Sequence, residues 1–230
     1  SSAASDVYKR QVLKSPYCDD PHNYGILRTS AEDLKFYAKE IAKMGFQMNT
    51  HAIGDSTVSV LLNEYKKILK DIDDPRWRIE HSQVVDINEF ELYNDKILPS
   101  IQPTHATSDM YWAYDRLGSR IKGAYAFKDL LNSSSRVALG TDFPVEKVNP
   151  FHTFYSSVER KDLNGYPENG FQMENSLTRE ETLKGMTIWG AYFNFEEHEK
   201  GSLEVGKSAD FIVLNQNIME VKADLIPNTE

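Results

Sequence analysis

Three side chains that can bind a metal stand at matched places in the sequence. His51 closes the run Phe46-Gln47-Met48-Asn49-Thr50-His51, His81 closes Trp77-Arg78-Ile79-Glu80-His81, and Asp142 closes Val137-Ala138-Leu139-Gly140-Thr141-Asp142. Each run reads as a brief strand with the candidate at its C-terminal end. A neutral imidazole suits Zn²⁺ and related divalent ions, and a carboxylate completes a nitrogen–oxygen donor set. An ion so held lowers the pKa of water to about 7 and polarises a carbonyl oxygen. A carboxylate beside that water can take its proton and pass it to a leaving amine. Spacing alone leaves two readings open. One is a shared divalent-metal site, zinc by donor type. The other is two hydrogen-bonded structural histidines and a turn-forming aspartate ahead of Phe143-Pro144.

The elements around these residues alternate. Ser30 to Met44 is a helix, with Ser30 as N-cap, Asp33 in its first turn, an apolar stripe of Leu34, Tyr37, Ile41 and Met44, and Gly45 as its stop. Strand Phe46–Thr50 follows, then a helix capped by Asp55 and running to about Lys70, with Val58, Leu61, Leu62, Tyr65, Ile68 and Leu69 inward. The pattern predicts strand Arg76–Glu80, a short helix over 86–93, and strand Ile97–Gln102 closed by Pro103. A long loop over 104–118 and helical pieces over 120–125 and 127–131 lead to strand Arg136–Gly140. Asn149-Pro150 opens another helix, and Thr178 with Glu181 forms a capping box for a helix to about Ala191. Alternation of this kind means an α/β fold with a parallel sheet, either doubly wound or a (β/α)8 barrel. In a barrel all strand C-termini face one side, where active sites lie. The segment Asp210-Phe211-Ile212-Val213-Leu214 reads as a strand isolated from the repeats and belongs to a different layer.

Other candidates surround the strand ends. His105 falls in the loop after the third strand, as a contact to substrate or transition state or as a residue that orders the loop. Gln102 and Trp112 are candidates to line a substrate pocket, with packing the competing role for Trp112. Glu80 should point opposite to Ile79 and His81, as buried polar support. His22, His152 and His198 read as loop, structural and solvated residues. The string Gly201-Ser202-Leu203-Glu204-Val205-Gly206-Lys207-Ser208 matches a phosphate loop but lacks the strand before and the helix after that such a loop needs.

Composition narrows the function classes. The apolar share is 40% and the charged share 27%, ordinary for a globular chain. A net charge of −9 argues against a general binder of nucleic acid or anionic membranes. One cysteine, Cys18, permits neither an internal disulfide nor a cysteine metal cluster. No apolar run approaches the roughly 20 residues of a membrane span, and no signal peptide is visible, so the expected location is cytoplasmic.

Five ordered strings together resemble the amidohydrolase superfamily, closest to its amidohydrolase-3 branch. They are His51-Ala52-Ile53-Gly54-Asp55, Arg78-Ile79-Glu80-His81-Ser82-Gln83, Ser100-Ile101-Gln102-Pro103-Thr104-His105, Gly140-Thr141-Asp142-Phe143-Pro144-Val145, and Gly201 through Asp210. The resemblance runs from about Pro16 to Leu214. It implies a metal-bearing (β/α)8 barrel with a small β-sandwich, His51 and His81 as metal ligands at the ends of strands five and six, and Asp142 at the end of strand eight. Asp142 would bind the metal or its water and act as general base, then acid. The family's first-strand His-x-His pair and its strand-four ligand have no counterpart. The implied chain is therefore the C-terminal half of a barrel plus part of a sandwich. Residues 1–15 would be a leader or artefactual tail, 16–200 the partial barrel, and 201–230 the sandwich return. The implied function is metal-dependent hydrolysis of non-peptide amide-type C–N bonds of a small molecule. The alternatives are an inactive fragment or binding module, and a related hydrolase of esters or phosphoesters. Half a barrel exposes sheet edges and an apolar face, which favours a homo-oligomer.

Overall fold

The computed structural model describes residues 9–230, so residues 1–8 of the expected tail lie outside it. The described residues divide into two compact units, 9–101 with 111–136, and 102–110 with 137–230.

The first unit is built on three parallel strands, β1 (Asn49–Ala52), β2 (Trp77–His81) and β3 (Ile97–Ile101). The register sets Asn49, Thr50, His51 and Ala52 beside Arg78, Ile79, Glu80 and His81, and Trp77 through Glu80 beside Ile97 through Ser100. Pleat alternation then sorts the side chains. Thr50, Trp77 and Ile79 share the face covered by helix α2 (Asp55–Ile68), where Tyr65 meets the Trp77 ring edge-on at 4.8 Å and its hydroxyl lies 2.6 Å from Thr50 Oγ1. Val58, Leu61, Leu62, Tyr65 and Leu69 are buried there as the periodicity predicts, and Ile68 is half-buried. The other face is polar: Arg78 Nε donates to Asn49 Oδ1 at 3.0 Å and lies 3.3 Å from Glu80. That is the orientation expected of Glu80.

Helix α1 (Ala31–Lys43) starts at Ser30, whose hydroxyl accepts from Asp33 N, and ends before Gly45 at φ +72°. Its buried residues are Leu34 and Ala38, whereas Tyr37 and Met44 of the expected stripe are exposed. Asp55 does not cap α2. Gly54 takes that position, and the Asp55 carboxylate accepts the backbone N–H of Lys14 at 2.8 Å. Residues 10–15, read from sequence as tail, pack into this unit. Leu13 N donates to Tyr24 O, Ile26 N donates to Arg10 O, and Leu13 is buried.

The predicted helix over 86–93 is only a short 3-10 turn, Phe90–Leu92. Asp86 instead accepts from the Asn88 backbone N–H at 3.0 Å, a local side-chain bond that competes with helix. The largest departure is the predicted loop 104–118, which is helix α3 (Pro103–Leu117). Its stripe is Ala106, Met110, Ala113 and Leu117, at helical spacing but half of it alanine, so its hydrophobic signal is weak. Pro103 is the first residue of this helix, where a missing N–H is harmless. Helix α4 (Phe127–Ser134) completes the first unit.

The second unit contains β4 (Ala138–Leu139), α5 (Pro150–Glu159), α6 (Arg179–Met186) and α7 (Ile188–Phe193). Asn149 caps α5 through Phe151 N at 2.9 Å, and Thr178 with Glu181 forms the predicted capping box. The helix expected to reach Ala191 breaks at Thr187, with φ −129° and ψ −97°. Phe154, Tyr155, Ile218 and Ile226 form a core cluster. Fully buried Arg160 holds the following loop by donating from Nε to Phe171 O at 2.8 Å. Residues 210–214 form no strand. Phe211, Ile212 and Val213 are 68%, 75% and 83% exposed, because a strand persists only in a ladder and none pairs with this segment among the described residues. No helix among the described residues is long and apolar enough to cross a membrane.

Candidate active site

In the first unit, parallel pairing of β1 with β2 carries two of the predicted ligands to one end. His51 is exposed on β1 and His81 is buried at the last residue of β2. Their rings stand 4.6 Å apart, centroid to centroid, at an interplanar angle of 76°. Alternation alone would send the two side chains to opposite faces, since His51 is level with Glu80. His81 and Ser82 leave the strand with φ +73° and +45°. Left-handed backbone at a non-glycine residue costs on the order of 1 kcal/mol or more. It ends the pleat at His81, where the ring lies beside that of His51. With metal–nitrogen bonds of about 2.0–2.1 Å, two imidazoles sharing one tetrahedral ion have ring centres about 5 Å apart. The donor type and the spacing of this pair therefore fit a divalent cation.

In the second unit, two carboxylates converge on one imidazole ring. His105 is the third residue of α3, not part of a loop, and is only 3% exposed. Its Nε2 lies 3.2 Å from Asp142 Oδ2 and its Nδ1 lies 3.2 Å from Glu146 Oε1. Ser108, one turn further along α3, donates its hydroxyl to the same Glu146 oxygen at 2.7 Å. Burial of the ring is the largest influence on its proton affinity and works against charge. The hydrogen bonds to Asp142 and Glu146 and the field of Asp109 outweigh it, and the His105 pKa is pushed up to about 9. Burial likewise raises Glu146, but its bonds from His105 and Ser108 bring the carboxyl below its ordinary range. Asp142 adopts φ +57°, and the turn behind it closes through Val145 N donating to Asp142 O at 2.8 Å.

The remaining candidates fall as follows. Gln102 is 8% exposed, and its Oε1 has no hydrogen-bond partner, as is true of Thr104 Oγ1. A buried acceptor left unpaired costs about 1–3 kcal/mol, so Gln102 is suited to receive a donor from a bound molecule. Trp112 sits on the far half of α3 in the first unit. Arg116 lies over its ring at 4.0 Å, and it lines a small cavity with Leu13, Tyr17, Ile53 and Tyr125. The His198 side chain is 90% exposed, a solvated residue. Sequence reading missed Glu146, Ser108 and Asp109. Ser108 and Asp109 lie three and four residues past His105 on one helix face, a relation that exists only because 104–117 is helical.

The profile of the amidohydrolase family matches residues 9–230. Over 206 residues the chain is 32% identical to Protein LONG AFTER FAR-RED 3 of Arabidopsis thaliana, covering 87% of this chain and 35% of that protein. It is also 32% identical over 208 residues to "Putative amidohydrolase YtcJ" of Bacillus subtilis strain 168, covering 89% and 39%. Among solved structures, an uncharacterized metal-dependent hydrolase from Pyrococcus horikoshii OT3 superposes with a TM-score of 0.80 at 27% identity, covering 94% of this chain and 44% of that one. The chain thus spans between about a third and under half of the lengths of these proteins.

Proposed function

The chain belongs to the amidohydrolase family, and from that membership we propose that it carries the later part of the active site of a metal-dependent hydrolase acting on amide-type C–N bonds of small molecules. Its strands and helices are an α/β arrangement that matches part of an amidohydrolase barrel. His51 and His81 are the ligands this chain contributes, through their ring nitrogens. A divalent cation, zinc by its preference for imidazole, supplies polarisation of the scissile carbonyl and acidification of water.

Asp142 takes the proton of the attacking water and returns it to the departing nitrogen, which must leave as a neutral amine. His105 Nε2, hydrogen-bonded to Asp142, holds that carboxylate in place and shares its proton. Gln102 Oε1, buried and unpaired, accepts an N–H of the substrate. The observation that carries the reading is the edge-on pairing of His51 and His81 at the ends of adjacent parallel strands.

The test is Asp142→Asn in a protein spanning the full length of the relatives. Turnover of an amide substrate panel should be lost, with the circular dichroism spectrum and the bound metal retained. Undiminished turnover would overturn the assignment.

A further inference from the structure

We propose that Glu146 is a positioning residue that clamps the His105 ring, presenting Nε2 to Asp142. The proposal rests on the reading of His105 and Asp142 as an interacting acid–base pair, and it adds a residue whose role is to fix their geometry.

The argument begins with the ring. An imidazole bonded at one nitrogen can still pivot, and a half-turn about Cβ–Cγ exchanges each nitrogen with a carbon. Bonding both nitrogens removes this freedom, since any flip forfeits two hydrogen bonds at once. Asp142 and Glu146, four residues apart in the β4–α5 connection, approach the two nitrogens of His105 at 3.2 Å each. A carboxylate can only accept, so the Glu146 bond requires a proton on Nδ1. The Asp142 contact likewise places a proton on Nε2, so the ring donates to a carboxylate from each nitrogen. Any proton exchanged with Asp142 then moves at Nε2, with Nδ1–H held on Glu146 throughout. Without Glu146 the ring is free to pivot, and Nε2 leaves its line to Asp142.

Glu146 is itself held. Ser108 Oγ donates to Glu146 Oε1 at 2.7 Å, and Ser108 shares a helix with His105. The clamp closes on a single oxygen that accepts from two successive turns of α3. Ser108 is exposed while His105 is buried, so the carboxylate bridges from the helix surface to a ring that water does not reach. This is the arrangement by which an outer carboxylate fixes the orientation of a functional histidine.

The experiment uses the chain labelled with ¹⁵N-histidine, and His105→Gln assigns the His105 resonances. Long-range ¹H–¹⁵N spectra read the protonation of Nδ1 and its exchange with water. In wild type the Nδ1–H should be observed and protected. In Glu146→Ala its exchange should accelerate at least about tenfold, as expected on loss of a hydrogen bond to a charged group. Glu146→Gln, whose amide oxygen still accepts, should restore protection. Unchanged Nδ1–H protection in Glu146→Ala overturns the proposal, as does failure of the Gln variant to rescue while it melts like wild type. If Glu146→Ala does not fold, Glu146→Asp withdraws the carboxylate by one methylene and should show the same loss; retained protection there overturns the proposal. None of these signals needs metal or turnover, so the outcome is independent of the Asp142→Asn test.

Discussion

The rings of His51 and His81 meet edge to face, 4.6 Å apart, although the strand register places His51 level with Glu80 and not with His81. The turn to φ +73° at His81 ends the pleat there. If the pair binds an ion, either ring should be indispensable. His51→Ala and His81→Ala are each expected to weaken Zn²⁺ binding by the chain at least about tenfold, since even loss of an outer partner costs that much. Titration calorimetry on the metal-stripped chain reads it. Equal affinity in either variant removes that residue from the ligand set.

Asp55 offers a pH test that does not use the histidines. It is 4% exposed at the start of α2. Burial, the largest influence, raises its pKa, and the Lys14 N–H with the charges of Arg120 and Lys14 only partly offsets that. A carboxyl whose folded pKa exceeds its unfolded one stabilises the fold below the unfolded value of about 3.9. That contribution is lost as pH rises through the folded pKa. Asp55→Asn keeps an oxygen for Lys14 N–H and carries no charge. Relative to this variant, wild type should lose stability as pH climbs from about 3.5 toward 7. Parallel melting curves at every pH contradict the expectation.

The strap formed by residues 10–26 is fixed by backbone contact. A Cβ on Gly54 would fall far inside van der Waals contact with the Val12 carbonyl oxygen. Neither partner is a flexible side chain, so Gly54→Ala must displace the strap or the loop before α2. The expected cost is about 1–3 kcal/mol. Limited proteolysis should then cut within 10–26 faster than in wild type; an unaltered cleavage rate and melting temperature would refute this packing.

What could be read in advance depended on how strongly a segment states its own structure. Helix α2 was legible because Val58, Leu61, Leu62 and Tyr65 form an apolar stripe and all are buried. The caps at Ser30, Asn149 and Thr178 were legible because short polar side chains bond the nearest open N–H groups. Helix α3 was obscured because Ala106 and Ala113 mark its buried face and Pro103 suggested a stop. With α3 read as loop, Ser108 had no visible relation to His105, and Glu146 had no reason to be singled out. The strand ends bearing His51, His81 and Asp142 were visible as a rhythm. The backbone turns at His81 and Asp142 were not, since φ is set there by tertiary context and neither residue is glycine. Residues 210–214 show the converse: a strong β-forming composition with no ladder to join among the described residues.

Trp112 can be assigned between substrate contact and packing by stability. Its ring is half-buried, carries the Arg116 guanidinium at 4.0 Å, and faces a cavity walled by Leu13 and Tyr17 of the strap. Removing it leaves those walls without a partner and exposes the Arg116 side chain. Trp112→Ala should therefore destabilise the chain by about 2 kcal/mol, below the range for a fully buried tryptophan because part of the ring already meets water. Arg116→Met should lower stability by less, about 0.5–1 kcal/mol, as the cation–π share alone is lost at a partly exposed site. Both are read by urea unfolding. A residue serving only a ligand would leave the unfolding midpoint unchanged in Trp112→Ala, and that result would return Trp112 to the substrate pocket.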